Sequence, residues 1–284
     1  MFAEYVLRGV KAGLVAGLVF GLFVAVVANP LVAFADELGH GEAAIEADGD
    51  PGAAGADHDH DGSSHDATDH GVVGETGHDH GVVSATTTSV VSIASSVLWG
   101  VLLGAVVFGG GFYLLEPVLP GDSGSATPDV AAGSAGFLSA SVAPWLVLPP
   151  QPPGARQFLA VSTRVRLYAG MVALGVVCCL LALYTFDRLS RRDRRSTTVA
   201  AAAALVPFGL LAVPVVLAPA NPVENPLPAE LSAGLVGLTV FGQALLWAVL
   251  AGAHAWLRRE SSSPPADDRR AAGSTNGDRV PSAD

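Results

Sequence analysis

Long apolar blocks dominate this chain and limit what it can fold into. An α-helix needs about 20 apolar residues to cross roughly 30 Å of hydrocarbon, and six stretches approach that length. They are Val10 to Ala28, Val90 to Leu115, Val130 to Leu148, Val165 to Phe186, Val199 to Ala218 and Ala233 to Leu257. These runs are long and lack strand-like alternation, which favours helices over a barrel. The sequence therefore predicts an all-α integral membrane protein with about six transmembrane helices.

Composition excludes several other classes of protein. Half of the residues are apolar and 14% are charged, against about 25% charged in ordinary soluble domains. The net charge of −11 argues against nucleic-acid binding, which needs a basic face. Cys178 and Cys179 are adjacent and cannot form a disulfide framework. Because no Walker A loop, nucleophile elbow or HExxH motif is present, we expect neither an enzyme nor a catalytic cofactor.

The distribution of basic residues predicts the orientation of the spans. With six spans, twelve of the fifteen basic residues fall on one side of the membrane. These are Arg8, Lys11, Arg188, Arg191, Arg192, Arg194, Arg195, Arg258, Arg259, Arg269, Arg270 and Arg279. The other side receives Arg156, Arg164 and Arg166. We therefore expect a multi-pass inner-membrane protein with both termini in the cytoplasm.

These features divide the chain into four parts. Residues 1–35 form the first span, 36–87 an extracytoplasmic loop, 88–259 five further spans, and 260–284 a disordered cytoplasmic tail. One alternative concerns the first part, because Ala33-Phe34-Ala35 resembles a signal-peptidase site. Cleavage there would leave five spans without changing the sidedness of the rest.

The segment 36–87 is rich in potential metal ligands. It holds seven of the eight histidines and 13 of the 26 acidic residues, and it has no lysine or arginine. With few large apolar residues it cannot bury enough surface to fold alone, which predicts a flexible, disordered loop. Imidazole suits Co, Ni and Zn, and carboxylates add charge attraction. The predicted loop ligands are His40, His58, Asp59, His60, Asp61, His65, His70, His78, Asp79 and His80. The alternative is a solvated acidic loop without a metal.

A few polar groups lie inside the apolar blocks. Gln243 and His254 are in the last span, and an ionisable group within a membrane is a candidate functional site. We therefore add His254 to the predicted metal ligands, with the alternative that it sits at the membrane interface. Glycines recur at every fourth position of the first span, at 9, 13, 17 and 21, which predicts close packing against another helix. Pro207 and Pro214 predict a kink in the fifth span.

Three stretches resemble the CbtA family, the predicted cobalt transporter subunit. They are RGVKAGLVAGLVFGLFVAVVANPL at 8–31, AGFLSASVAPWLVLPPQPPGARQF at 135–158, and the proline-punctuated segment at 206–259 that contains PAEL and a closing Trp- and Gly-containing span. The resemblance implies cobalt supply for cobalamin synthesis. It also implies a partner, the small CbtB-like membrane subunit with one span and a His-rich segment.

Together these observations predict a membrane subunit for uptake of a divalent transition metal. Cobalt is the metal that the resemblance implies, and nickel and zinc fit the ligands equally well. The outer loop would capture the ion, which would then pass the helices along a path that includes Gln243 and His254. The alternative is a non-transporting membrane metal sensor or assembly subunit. Metal export fits an outward-facing ligand loop less well. We expect membrane lipid and a metal ion as partners, and no nucleic acid.

Overall fold

The structure is a computed structural model that describes residues 2–35, 37, 85–121, 125–192 and 197–262. The predicted loop 36–87, apart from its ends, and nearly all of the predicted tail 260–284 lie outside the described residues. Within the described ranges the chain forms six helical rods, numbered here α1 to α6. The prediction of an all-α membrane protein is confirmed at this level.

The rods have the following bounds. Helix α1 is Phe2–Phe23 with a π-helical turn at Val24–Ala28, and it continues to Ala35. Helix α2 is Ala85–Leu103, a π-helical segment Gly104–Gly111, then Phe112–Leu115 and a 3-10 turn Glu116–Val118. Helix α3 is Thr127–Phe137, a π-helical turn Leu138–Val142, and Ala143–Trp145.

The remaining elements follow in order. Helix α4 is Val161–Arg192. Helix α5 is Thr197–Ala204, a 3-10 segment Val206–Leu211, and Ala212–Leu217. The α-helix is thus interrupted at Pro207, one of the two prolines that predict a kink, and Pro214 lies in its last α-helical part. Helix α6 is Ala229–Ser262. Two short strands, β1 (Arg156–Gln157) and β2 (Val223–Glu224), pair antiparallel with Arg156 opposite Glu224.

Five of the rods are long and apolar enough to cross a membrane by length and composition. They are α1, α2, α4, α5 and α6. The predicted third span, Val130 to Leu148, is present as helix α3, but it is not among these five. Its serines, glycines and Asp129 lower its hydropathy. Apolar side chains such as Leu114 and Val216 point outward from the bundle, as expected of a lipid-facing surface.

Helix α3 nevertheless runs from one end of the bundle to the other. Its first turn contacts the C-terminal part of α6 through Asp129 and Arg258. Its last turn leads into the proline-rich loop before β1, and β1 pairs with β2 just ahead of the start of α6. Consecutive rods therefore alternate in direction. The N-terminus of α1 and the C-terminus of α6 share the first end, and the β1–β2 ladder marks the second end.

The closest helix packing joins α1 to α2 along the predicted glycine face. Gly9, Gly13 and Gly17 of α1 are buried against Gly104, Gly100 and Ser96 of α2, respectively. A Cβ atom added at Gly17 would lie 2.6 Å from the carbonyl oxygen of Ser96 and 2.7 Å from Cα of Val97. The backbones are thus in direct contact, which confirms that this span packs against a partner helix and places that partner in the same chain.

The other rods surround this pair in two packed groups. Helix α6 packs on α1 and α3, and the main core between them contains Phe108, Phe112, Trp247 and Leu250. Helix α4 packs on α3 and α5 around a smaller core that includes Met171 and the free thiol of Cys178. Helix α3 contacts both groups.

We expect Gly17→Ala to destabilise the bundle, because its Cβ would meet backbone atoms that cannot move aside. Overpacking of this kind costs about 1–3 kcal/mol, measurable as a lower midpoint of thermal unfolding in detergent. The matched control is Gly237→Ala in α6, where an added Cβ meets no atom within 4 Å. Equal midpoints for the two variants would contradict the close α1–α2 contact.

Candidate functional site in the helical bundle

A buried carboxylate links α3 to α6 near the first end of the bundle. Asp129 lies in the first turn of α3, where Pro128 favours the start of a helix. His254 and Arg258 are four residues apart on α6, so they share one face of that helix. The Nδ1 atom of His254 is 2.6 Å from Oδ1 of Asp129. Arg258 donates to Oδ2 from Nε at 3.2 Å and from Nη2 at 2.5 Å.

All three side chains are withdrawn from solvent. Asp129 and His254 have no exposed surface, and Arg258 is 6% exposed. A buried charge is tolerated when it is paired and hydrogen-bonded. Here one carboxylate faces one guanidinium, and Nη2 of Arg258 also donates to the backbone carbonyl of Ser125. The arrangement is therefore close to neutral and satisfies both carboxylate oxygens.

The far side of the His254 ring is different. Its Nε2 atom is buried and has no hydrogen-bond partner among the described residues. The rings of Phe108 and Phe112 lie against the imidazole, each with its centroid 4.9 Å from that of His254. An imidazole nitrogen without a partner is costly in an apolar environment, so this atom is an exception that calls for a functional explanation.

A second polar group lies at the same end of the bundle. The hydroxyl of Tyr5 donates to Oε2 of Glu116 at 2.5 Å, which joins the start of α1 to the end of α2. The guanidinium of Arg8 lies over the Tyr5 ring, 5.5 Å from its centroid. Glu4, Arg8, Lys11 and Glu260 line an adjacent cavity of about 480 Å³. Acidic and basic side chains thus mix at this mouth of the bundle.

Gln243 lines a separate cavity farther along α6, with both polar and apolar side chains in its wall. The cavity has a volume of about 490 Å³, and its polar lining comes from hydroxyl and amide groups of α2, α3, α4 and α6. These residues are Ser92, Ser95, Ser96, Ser141, Tyr168 and Gln243. The hydroxyl of Ser141 donates to Oε1 of Gln243 at 3.4 Å. The eleven residues from Gln243 to His254 correspond to about 16 Å along an α-helix.

The structure places one of the predicted metal ligands. The side chain of His254 is buried inside the bundle, near its first end. The ten loop ligands, from His40 to His80, lie outside the described residues. Among the described residues no group of three or more His, Cys, Asp or Glu side chains is arranged to hold a metal ion. The predicted metal ligands therefore remain a prediction.

Sequence reasoning missed the two residues that hold His254. Asp129 stands one residue before the predicted third span, and Arg258 entered only the count of basic residues. Two signals were present. Asp129 is an acidic residue at the head of an apolar helix, where it needs a partner. His254 and Arg258 have the spacing that lets both reach one partner.

The fold and the site define a multi-pass helical membrane protein with an ionisable cluster inside its bundle. The family model described as "Probable cobalt transporter subunit (CbtA)" matches residues 2–259. The chain belongs to this family of transporter subunits. Comparison with curated proteins and with solved structures gave no significant match.

Two of the stretches that carry the family resemblance meet at the second end of the bundle. The proline-rich loop turns at Gly154, whose φ of +79° favours glycine, and enters strand β1. Strand β2 follows Asn221, whose side-chain amide donates to Oε1 of Gln157 at 3.1 Å and whose Oδ1 accepts from the backbone of Leu159 at 3.3 Å. The two loops are thus joined into one small structure.

We expect Arg258→Leu to lower the free energy of unfolding by about 3–5 kcal/mol, because it leaves the buried Asp129 carboxylate without its charged partner. Unfolding in mixed micelles with increasing SDS measures this difference. The control is Arg166→Leu, because Arg166 is exposed and its hydrogen bonds go to Ser162 and Thr163 of its own helix. A loss no larger than that of the control would count against the buried ion pair.

Proposed function

We propose that this chain is the membrane subunit of an uptake system for a divalent transition metal, with cobalt as the ion and cobalamin synthesis as its use. The observation that carries the proposal is the family match across residues 2–259. The apolar helices support the membrane location.

The proposed orientation places both termini in the cytoplasm. In the structure the N-terminus of α1, the C-terminal end of α4 and the C-terminal end of α6 share the first end of the bundle, and these segments are rich in basic residues. The positive-inside rule assigns that end to the cytoplasm. Segment 36–87, which leaves α1 and enters α2 at the second end, then lies outside the cell.

Capture of the ion is assigned to the histidine- and aspartate-rich loop. Several imidazoles and carboxylates on one segment can meet around one divalent ion, at modest affinity because binding must order the chain. Binding requires neutral imidazole, so capture should weaken as the pH falls below about 6.5. The loop would raise the concentration of the ion beside the entrance to the bundle.

Passage needs polar groups, because a bare dication in hydrocarbon is prohibitively unfavourable. The cavity around Gln243 and the side chain of His254 lie on one helix, α6, and offer oxygen and nitrogen atoms at two depths of the bundle. We propose them as successive contacts of a hydrated ion. The word subunit in the family description implies an assembly, and we propose a small CbtB-like membrane protein as the partner.

A second candidate function is a non-transporting membrane metal sensor or assembly subunit. One observation favours it: Nε2 of His254 is sealed among apolar side chains, and the described residues form no three-ligand group. The purified chain in liposomes distinguishes the two. Cobalt uptake into liposomes by this chain alone excludes the second candidate function. Uptake only in the presence of a partner subunit is compatible with that second candidate.

The first test is radiolabelled cobalt uptake by cells with and without this gene, together with a variant that lacks residues 55–81. We expect uptake to fall in the gene deletion, and to fall partly in the loop variant at low metal concentration, because capture is lost while the bundle is intact. At saturating metal the loop variant should approach the normal rate.

The control is a variant whose residues 55–81 are replaced by a Gly/Ser segment of equal length that keeps Asp57-His58-Asp59-His60-Asp61 and His78-Asp79-His80. It should recover uptake at low metal. Unchanged uptake in the gene deletion would overturn the import proposal, and unchanged uptake in the loop variant alone would overturn the capture step.

A further inference from the structure

We infer that Nε2 of His254 binds the transported ion transiently at the cytoplasmic end of the bundle and then releases it, a role called here a relay ligand. Asp129 and Arg258 are the positioning residues that direct this atom. The inference rests on the proposed function, because it takes the cargo to be a divalent transition metal. It adds the ligating atom, its two supporting residues and the side chains that cover it.

The hydrogen bond to Asp129 fixes the tautomer of the imidazole. An ionised carboxylate can only accept hydrogen bonds, so the 2.6 Å contact requires that Nδ1 of His254 carries the hydrogen. In the neutral ring Nε2 then holds the lone pair. Histidines that bind metals generally donate their other ring N–H to a carboxylate or carbonyl in this way, which orients the ring and makes the ligand more basic.

Arg258 fixes the carboxylate in turn. Its two N–H donors both reach Oδ2, which leaves Oδ1 for the histidine. Its further bond to the carbonyl of Ser125 ties the guanidinium to the chain just before α3. The charges of Asp129 and Arg258 offset each other, so an approaching dication meets the imidazole beside a neutral pair rather than beside an isolated cation.

Phe108 and Phe112 cover the ring of His254. Phe108 lies in the π-helical segment Gly104–Gly111 of α2, and Phe112 follows it directly. Such wide turns occur often at functional sites. A Cβ added at Gly110 would meet no atom within 4 Å, whereas one added at Gly104 or Gly109 would meet the backbone of α1, so the segment is anchored on α1 and open at Gly110. Movement of the Phe108 and Phe112 side chains would uncover Nε2 for the ion.

One imidazole is a suitable number of ligands for a relay. A conducting site must bind its ion strongly enough to admit it and weakly enough to release it. A single nitrogen, with water completing the coordination shell, meets that requirement better than a closed cage of three or four protein ligands. The alternative explanation of the cluster is purely structural: Asp129 joins α3 to α6, and Nε2 contacts no ion.

Nitrogen-15 NMR of the full chain, labelled at histidine and embedded in lipid bilayers, separates these explanations. We expect His254 to show a protonated Nδ1 and an unprotonated Nε2, and Zn²⁺ at concentrations that inhibit cobalt uptake should shift the Nε2 signal. The difference from the spectrum of His254→Gln assigns the signals. If that variant fails to fold, the variant lacking 55–81 retains only His40 and His254 and serves instead.

Asp129→Asn keeps the shape of the residue but removes its charge, so we expect a mixture of tautomers and a maximal cobalt uptake rate about 10–100-fold lower. The apparent KM, set by the loop, should change little. The control is Glu224→Gln, an exposed carboxylate on β2 at the other end of the bundle, which should alter neither quantity.

A protonated Nε2 in the unmodified protein, or an Nε2 signal that Zn²⁺ leaves unchanged, overturns the relay. A normal uptake rate in folded Asp129→Asn overturns the positioning role. These failures are distinct from failure of the proposed function, since the latter requires that deletion of the gene leaves cobalt uptake unchanged.

Discussion

The backbone contact between α1 and α2 is the constraint on which the rest of the bundle depends. In a bilayer no hydrophobic force draws apolar helices together, so association relies on close packing and hydrogen bonds. Glycines on both helices let the two backbones touch, and this pair forms one wall of the main core. Helix α6 packs on that wall with Trp247 and Leu250, and its polar side chains then face α3.

Helix α3 is not among the rods that are apolar enough to span a membrane, and polar contacts attach it along its length. Asp129 binds α6, Ser141 reaches Gln243, and the carbonyl of Ala140 accepts from the hydroxyl of Tyr168 at 2.9 Å. These polar groups of α3 would be unfavourable against lipid and are satisfied by neighbouring rods. The features that exclude α3 from the apolar spans therefore also explain why it sits between α6 and α4.

The sequence predicted the elements whose signal is local. Apolar length located six rods, the four-residue spacing of glycines located the face of α1 that packs on another helix, and Pro207 lies in the interruption of α5. The pairing of Asp129 with His254 and Arg258 could not be derived in the same way. It joins positions more than 120 residues apart. The charged residues of the sequence include several candidates for a buried pair, and their positions do not show which of them pair. The strands β1 and β2 are two residues each, too short for any alternation to be visible.

Trp247 lies on α6 between the Gln243 cavity and His254. It is one turn beyond Gln243 and two turns before His254. Its ring packs so closely on Gly136 of α3 that an added Cβ there would overlap the indole. An ion that moved from the Gln243 cavity to His254 would have to pass this contact, and the gap there is set by how tightly α3 is held to α6. Asp129 makes that connection. The same carboxylate therefore both directs the histidine and joins α3 to α6 near the Trp247 contact, so the cluster that positions the proposed ligand also holds the two helices that border the proposed path.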